Sequence, residues 1–186
     1  MTDVVLIVDM LKGFHTIGKL AIPRVNRIIP NIAMLLHKKS TEGNWLVFLG
    51  DSHEVNDEEF KTWPPHCIKG TEEAEVIDQL KPFLRGKNAI FVPKTRYSGF
   101  FRTDLENILA KIRPQQVIVV GMCTDICVLY TVADLRMRGY KVIVPRDCVE
   151  TFDSFDHPAE VVNKTFLKHM ENILGVEVPE KVQNIL

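Results

Sequence analysis

The chain has 186 residues, 46% of them hydrophobic and 25% charged, with a net charge of −1. That length and balance fit one globular α/β domain over residues 1–186 with a sizeable core. With no basic run and no apolar stretch long enough to span a bilayer, they argue against nucleic acid or a membrane as partner. Strand-like sequence begins at once, with no charged and apolar leader ahead of it, so the expected compartment is the cytoplasm. The four cysteines, Cys67, Cys123, Cys127 and Cys148, match no zinc-finger or CxxC spacing and are expected as free thiols.

Val4-Val5-Leu6-Ile7-Val8 is a continuous apolar run ending at Asp9, which predicts a buried parallel strand with a carboxylate at its C-terminal end. Residues 23–39 carry Val25, Ile28, Ile29, Ile32, Leu35 and Leu36 on one helical face, with Pro30 as a kink or the true start and Gly43 as a stop. Residues 45–50 predict a second strand, followed by Asp51-Ser52-His53. Residues 54–70 have no period and read as a long loop; residues 71–84 read as a short helix. Residues 89–92 form a third strand ending at Pro93-Lys94. Thr103-Asp104-Leu105-Glu106 has the pattern of a capping box ahead of a helical stripe.

Val117-Ile118-Val119-Val120 then ends at Gly121, and helix-like sequence resumes after Cys123-Thr124-Asp125-Ile126-Cys127. This predicts strand, tight turn and helix, with Thr124 as N-cap, Cys127 in the first turn and Gly139 as the stop. The helix dipole would favour a Cys127 thiolate. Residues 141–144 form a fifth strand, residues 156–173 a last helix, and residues 176–178 a short edge strand. His37 and His169 are expected in solvent, His157 at a helix start, and Met34, Met137 and Met170 as core filling. The predicted fold is a three-layer α/β/α arrangement with a mainly parallel central sheet.

In such a sheet the strand ends share one edge, so Asp9, Lys94 and the Cys127 loop can converge. A cysteine nucleophile needs a base that takes its proton and later protonates a leaving group, and Asp9 can do both. Lys94 would hold Asp9 and favour the thiolate. Asp51 and His53, two residues apart in an extended segment, project to one side, and His66 comes from the loop stiffened by Trp63-Pro64-Pro65. Carboxylate and imidazole ligands suit zinc, iron or manganese, with Glu59 or Glu58 as a fourth.

These motifs resemble those of the isochorismatase-like cysteine hydrolases, and within them the nicotinamidases, along essentially the whole chain. The resemblance rests on Asp9 with Phe14, Asp51-x-His53 with Trp63-Pro64-Pro65-His66-Cys67-x-x-Gly70-Thr71, Lys94-x-x-Tyr97-Ser98-Gly99-Phe100, and Gly121-Met122-Cys123-Thr124-Asp125-x-Cys127-Val128. It implies a catalytic triad of Asp9, Lys94 and Cys127, and a cis peptide between Met122 and Cys123. It also implies an oxyanion hole from the backbone N–H groups of Cys123 and Cys127, and one divalent ion, zinc before iron or manganese, on Asp51, His53, His66 and Glu59. Phe14, Trp63 and Tyr97 would face the substrate. The implied reaction is hydrolysis of a small amide through a Cys127 thioester, with nicotinamide to nicotinate as the leading case, in a homo-oligomer (dimer or tetramer). Leu11 and Lys12 stand where the family often has polar groups, which would alter the pocket. Another small amide, carbamoyl or vinyl-ether substrate, or a silent binding homologue, is the alternative; one glycine after Val120 is too few for a dinucleotide fingerprint.

Overall fold

The computed structural model describes residues 2–186. Ten principal elements follow in the order β1 (Val4–Val8), α1 (Ile29–Thr41), β2 (Trp45–Asp51), β3 (Ala89–Lys94), α2 (Leu105–Ile112), β4 (Val117–Met122), α3 (Leu129–Met137), β5 (Val142–Ile143), β6 (Val149–Glu150) and α4 (Ala159–Asn172). The sheet order is β3-β2-β1-β4-β5, with β6 beside the end of β4, and every pairing is parallel. The predicted architecture is therefore the observed one.

Alternation along β1 explains the three layers. Val5 and Ile7 pack with Phe48, Ile118 and Val120 toward Ile32, Leu35 and Leu36 of α1. Val4, Leu6 and Val8 pack with Val47, Leu49 and Val119 toward Leu109 of α2, Leu135 of α3 and Met170 of α4. With both faces covered, no position of β1 tolerates a polar side chain until Asp9. The chain leaves β1 to build β2 and β3 on one side, then crosses to build β4 and β5 on the other. The crevice between β1 and β4 is the point where the strand order reverses, the place where ligands bind in such sheets.

Several local expectations are corrected. The helix expected from residue 23 begins at Ile29 instead, with Pro30 marking its true start as one of the two readings had it, and Pro23–Arg27 is a separate 3-10 turn. The helix expected over residues 71–84 is two single turns, Glu72–Ala74 and Lys81–Arg85. Between them the backbone pairs with the segment after β1: Val76 bridges Leu11, and Ile77 N–H donates to Met10 O at 3.0 Å. Those groups cannot also serve a helix. The capping box is replaced by Thr103, whose hydroxyl donates to Gly99 O and accepts from Leu105 N–H. The strand expected over 176–178 shrinks to one bridge between Ile143 and Glu177, and β6 was not anticipated. Met170 is buried, but Met34 and Met137 are exposed, the latter at 75%. No helix among the described residues is long and apolar enough to cross a membrane.

Candidate active site

Register brings the strand ends together. Val8 lies opposite both Leu49 and Gly121, and Asp51 lies opposite Lys94. Asp9 then turns out of the strand in a left-handed conformation (φ 51°), which an aspartate tolerates better than most residues. Its N–H donates to Leu49 O at 2.9 Å, and its Oδ1 accepts from Asp51 N–H at 3.0 Å. Lys94 Nζ, fully buried, lies 2.7 Å from Asp9 Oδ2, 2.5 Å from Asp51 Oδ1 and 3.6 Å from Cys127 Sγ. The acid, the amine and the thiol thus meet at one edge, and Met122–Cys123 is a cis peptide.

Gly121 makes this approach feasible. Its φ is 117°, and a Cβ there would stand 2.0 Å from Val8 O, one residue before Asp9. Gly121→Ala is expected to cost more than about 4 kcal/mol or to prevent folding, read as loss of folded yield and Tm; a normal melt would contradict this packing.

The electrostatics differ from expectation at the sulfur. Burial, reinforced by Asp9 and Asp51, pushes the Cys127 thiol well above its ordinary range despite Lys94. Thr124 is not the N-cap: it opens a π-helical turn, Thr124–Val128, preceded by Cys123, and its hydroxyl is buried without a partner. Burial and the neighbouring Asp51 charge push Asp9 up to about 6 against the pull of Lys94. Burial acts the same way on Asp51, but Lys94 and the His53 and His66 imidazoles outweigh it and hold that carboxylate far below its usual range.

Asp51 joins this trio to a second cluster. Its Oδ1 takes Lys94, and its Oδ2 lies 3.6 Å from both His53 Nε2 and His66 Nε2. Glu59 Oε1 lies 4.0 and 3.9 Å from the same two nitrogens. Ligand atoms of all four residues lie within 4.8 Å of one another, and all four are buried. A tetrahedral ion with bonds of about 2.1 Å places its ligands about 3.4 Å apart, so the set is close to closing on a cation. His53 Nε2 is buried with no hydrogen-bond partner, which a cation would relieve. Burial disfavours charge on the two imidazoles, yet Asp51 outweighs it and raises both. The residues fit a divalent metal. Glu58, the alternative ligand, is exposed and pairs with Lys61.

Outer contacts aim these ligands. His66 Nδ1 lies 2.8 Å from Pro64 O, which turns Nε2 inward. His53 Nδ1 lies 3.2 Å from Asp57 Oδ2, and Arg96 Nη1 donates to Asp57 Oδ1 at 2.7 Å. Asp57 and Arg96 were not singled out from sequence; carboxylate next to a ligand-bearing turn was the only available signal.

A cavity of about 230 Å³ opens over both clusters, lined among others by Asp9, Asp51, Glu59, His66, Cys123 and Cys127. Phe14, Trp63 and Tyr97 line it as well, and Trp63 Nε1–H donates to Tyr97 Oη at 2.9 Å. Its size is below the usual range of about 300–1,000 Å³ for ligand pockets, which suits one small ring. Phe152 is a further wall that nothing in its local sequence announced. Leu11 and Lys12 are absent from the lining. Leu11 is in the core, and Lys12 pairs with Glu72, Glu75 and Asp78. These two side chains brace the loop and form no part of the pocket wall.

A model of the isochorismatase domain matches residues 3–172. The chain is 34% identical over 171 residues to the uncharacterised isochorismatase family protein PncA of Bacillus subtilis, spanning 88% of this chain and 90% of that one. The solved structure of the nicotinamidase/pyrazinamidase PncA from Bacillus subtilis is similar with a TM-score of 0.87 at 31% identity, over 97% of this chain and 100% of the other. The pyrazinamidase of Pyrococcus horikoshii in complex with zinc is similar with a TM-score of 0.82 at 28% identity, over 96% and 98%. The chain belongs to the isochorismatase family and is a hydrolase of its nicotinamidase-like subgroup.

Proposed function

We propose that the protein hydrolyses the C–N bond of a small aromatic amide, nicotinamide foremost, releasing ammonia and the carboxylic acid. The observation that carries this reading is the shared cavity: the Cys127 thiol and the Asp9 acid on its wall, the Lys94 amine buried directly behind them, and a four-residue cation-seeking set beside them. The similarity to nicotinamidases supports the choice of ring.

Asp9 takes the Cys127 proton as sulfur attacks the amide carbon. Lys94, 3.6 Å from the sulfur, stabilises the developing thiolate. Backbone N–H groups of Cys123 and Cys127 hold the oxyanion. Asp9 returns its proton to nitrogen as the C–N bond breaks, leaving ammonia and a Cys127 thioester. Water, deprotonated by Asp9, attacks the thioester; the acid departs and the proton returns to sulfur. Asp51, His53, Glu59 and His66 would hold one divalent ion, zinc first, which when bound supplies Lewis acidity and an anchor for a ring nitrogen. Phe14, Trp63 and Tyr97 would enclose the ring. The four free cysteines suit a reducing, cytoplasmic setting.

The test is ammonia release from nicotinamide, before and after chelation. Stripping the ion is expected to lower turnover by about 100-fold or more, with zinc restoring it, while Cys127 remains open to alkylation. Activity indifferent to chelator would remove the ion from the reading and leave the thiol chemistry in place.

A further inference from the structure

The loop between β6 and α4 carries the cavity wall Phe152, yet residues 153–156 of that loop are exposed and have no core beneath them. What holds Phe152 is a set of polar contacts. The His157 imidazole stacks on the Phe152 ring with centroids 3.8 Å apart and planes 6° apart. Its Nδ1 lies 3.1 Å from Phe152 O, and its Nε2 lies 2.9 Å from Asp125 Oδ2. The other Asp125 oxygen accepts from Thr151 Oγ1–H at 2.6 Å. Both ends of the loop are therefore tied to one carboxylate, and that carboxylate belongs to the same turn as Cys127. Trp63 meets the Phe152 ring edge-on at 6.5 Å from the opposite part of the cavity. Sequence reading placed His157 at a helix start; in the structure α4 begins at Ala159, whose N–H is capped by Asp153 Oδ1. The helix does not need His157.

We propose that His157, held by Asp125, is a positioning residue that fixes Phe152 as the wall against which a flat ring binds. This rests on the amide-hydrolase reading only for the identity of the ring. His157 touches neither the thiol nor the reacting amide, so its loss acts through Phe152. Without it the loop keeps the Thr151 contact and loses the stacked partner, and Phe152 swings among rotamers. Ring binding weakens while the chemistry at Cys127 proceeds.

The experiment compares the wild type with His157→Ala and His157→Gln, all checked for an unchanged melt. Two readouts are taken: KM and kcat for ammonia release from nicotinamide, and protection of Cys127 from iodoacetamide by benzamide, a ring without the pyridine nitrogen. His157→Ala is expected to raise KM about tenfold with kcat within about twofold, and to weaken benzamide protection by a similar factor. His157→Gln, which can still donate to Asp125, is expected in between. A fall in kcat at unchanged KM, or equal protection in all three proteins, overturns the proposal. If the wild type releases no ammonia from nicotinamide, the substrate reading fails, and the benzamide readout decides the proposal on its own. Absence of protection in the wild type also overturns it, because then no ring rests on Phe152.

Discussion

Cys127→Ala is expected to lower kcat/KM for amide hydrolysis by about 10,000-fold or more while leaving the fold intact. The side chain is 8% exposed and packs among Val8, Leu49 and Val128, so removing one sulfur leaves a small cavity and a modest stability change. The chemistry has no substitute nucleophile. Cys123 also lines the cavity, but the amine of Lys94 faces Cys127. Binding of nicotinamide to the variant, read by calorimetry, should stay within a few-fold, because Phe14, Trp63 and the ligand cluster are untouched. Turnover within tenfold of wild type would end the thioester mechanism and point to direct attack by water.

Lys94→Met is expected to damage stability and activity together. Lys94 Nζ is fully buried between Asp9 Oδ2 and Asp51 Oδ1. Its removal leaves two buried carboxylates facing each other, and breaking such a pairing costs about 3–5 kcal/mol. Urea unfolding in the presence of chelator measures this without help from a bound ion. The origin of the loss can be checked with a second change: adding Asp9→Asn removes one of the stranded charges and should return part of the stability, though no activity. If Lys94→Met unfolds at the wild-type midpoint, the amine is not the counter-ion that the geometry indicates. Activity should fall with stability in this variant, since both the base and the thiolate lose their cation.

Much of this site was legible before any coordinates. Asp9, Asp51, Lys94 and the Cys127 turn each follow an apolar run, and parallel strands put such ends on one edge. Other features were not legible, for identifiable reasons. Glu58 and Glu59 are neighbours of like charge, and only the hand of one short turn sends Glu59 to the cluster and Glu58 to Lys61. Helix position and Lys94 were read as favouring the Cys127 thiolate; the burial that pushes the thiol the other way depends on tertiary packing and is not visible in the local sequence. The resemblance implied that Leu11 and Lys12 would alter the pocket; the pairing of this segment with Val76 and Ile77 keeps both out of its lining. Phe152 and His157 sit in a loop with no period, and their roles exist only through Asp125, 27 and 32 positions earlier in the chain.

The amino-acid sequence alone determined the parallel strands, the layer on each face and which chemical groups stand at the strand ends, because hydrophobic period and strand termination are local properties of the chain. Tertiary structure alone decided which groups are charged, which of two glutamates faces inward, and what walls the cavity. Those outcomes depend on burial and on distances between segments remote in sequence, and no local pattern encodes either.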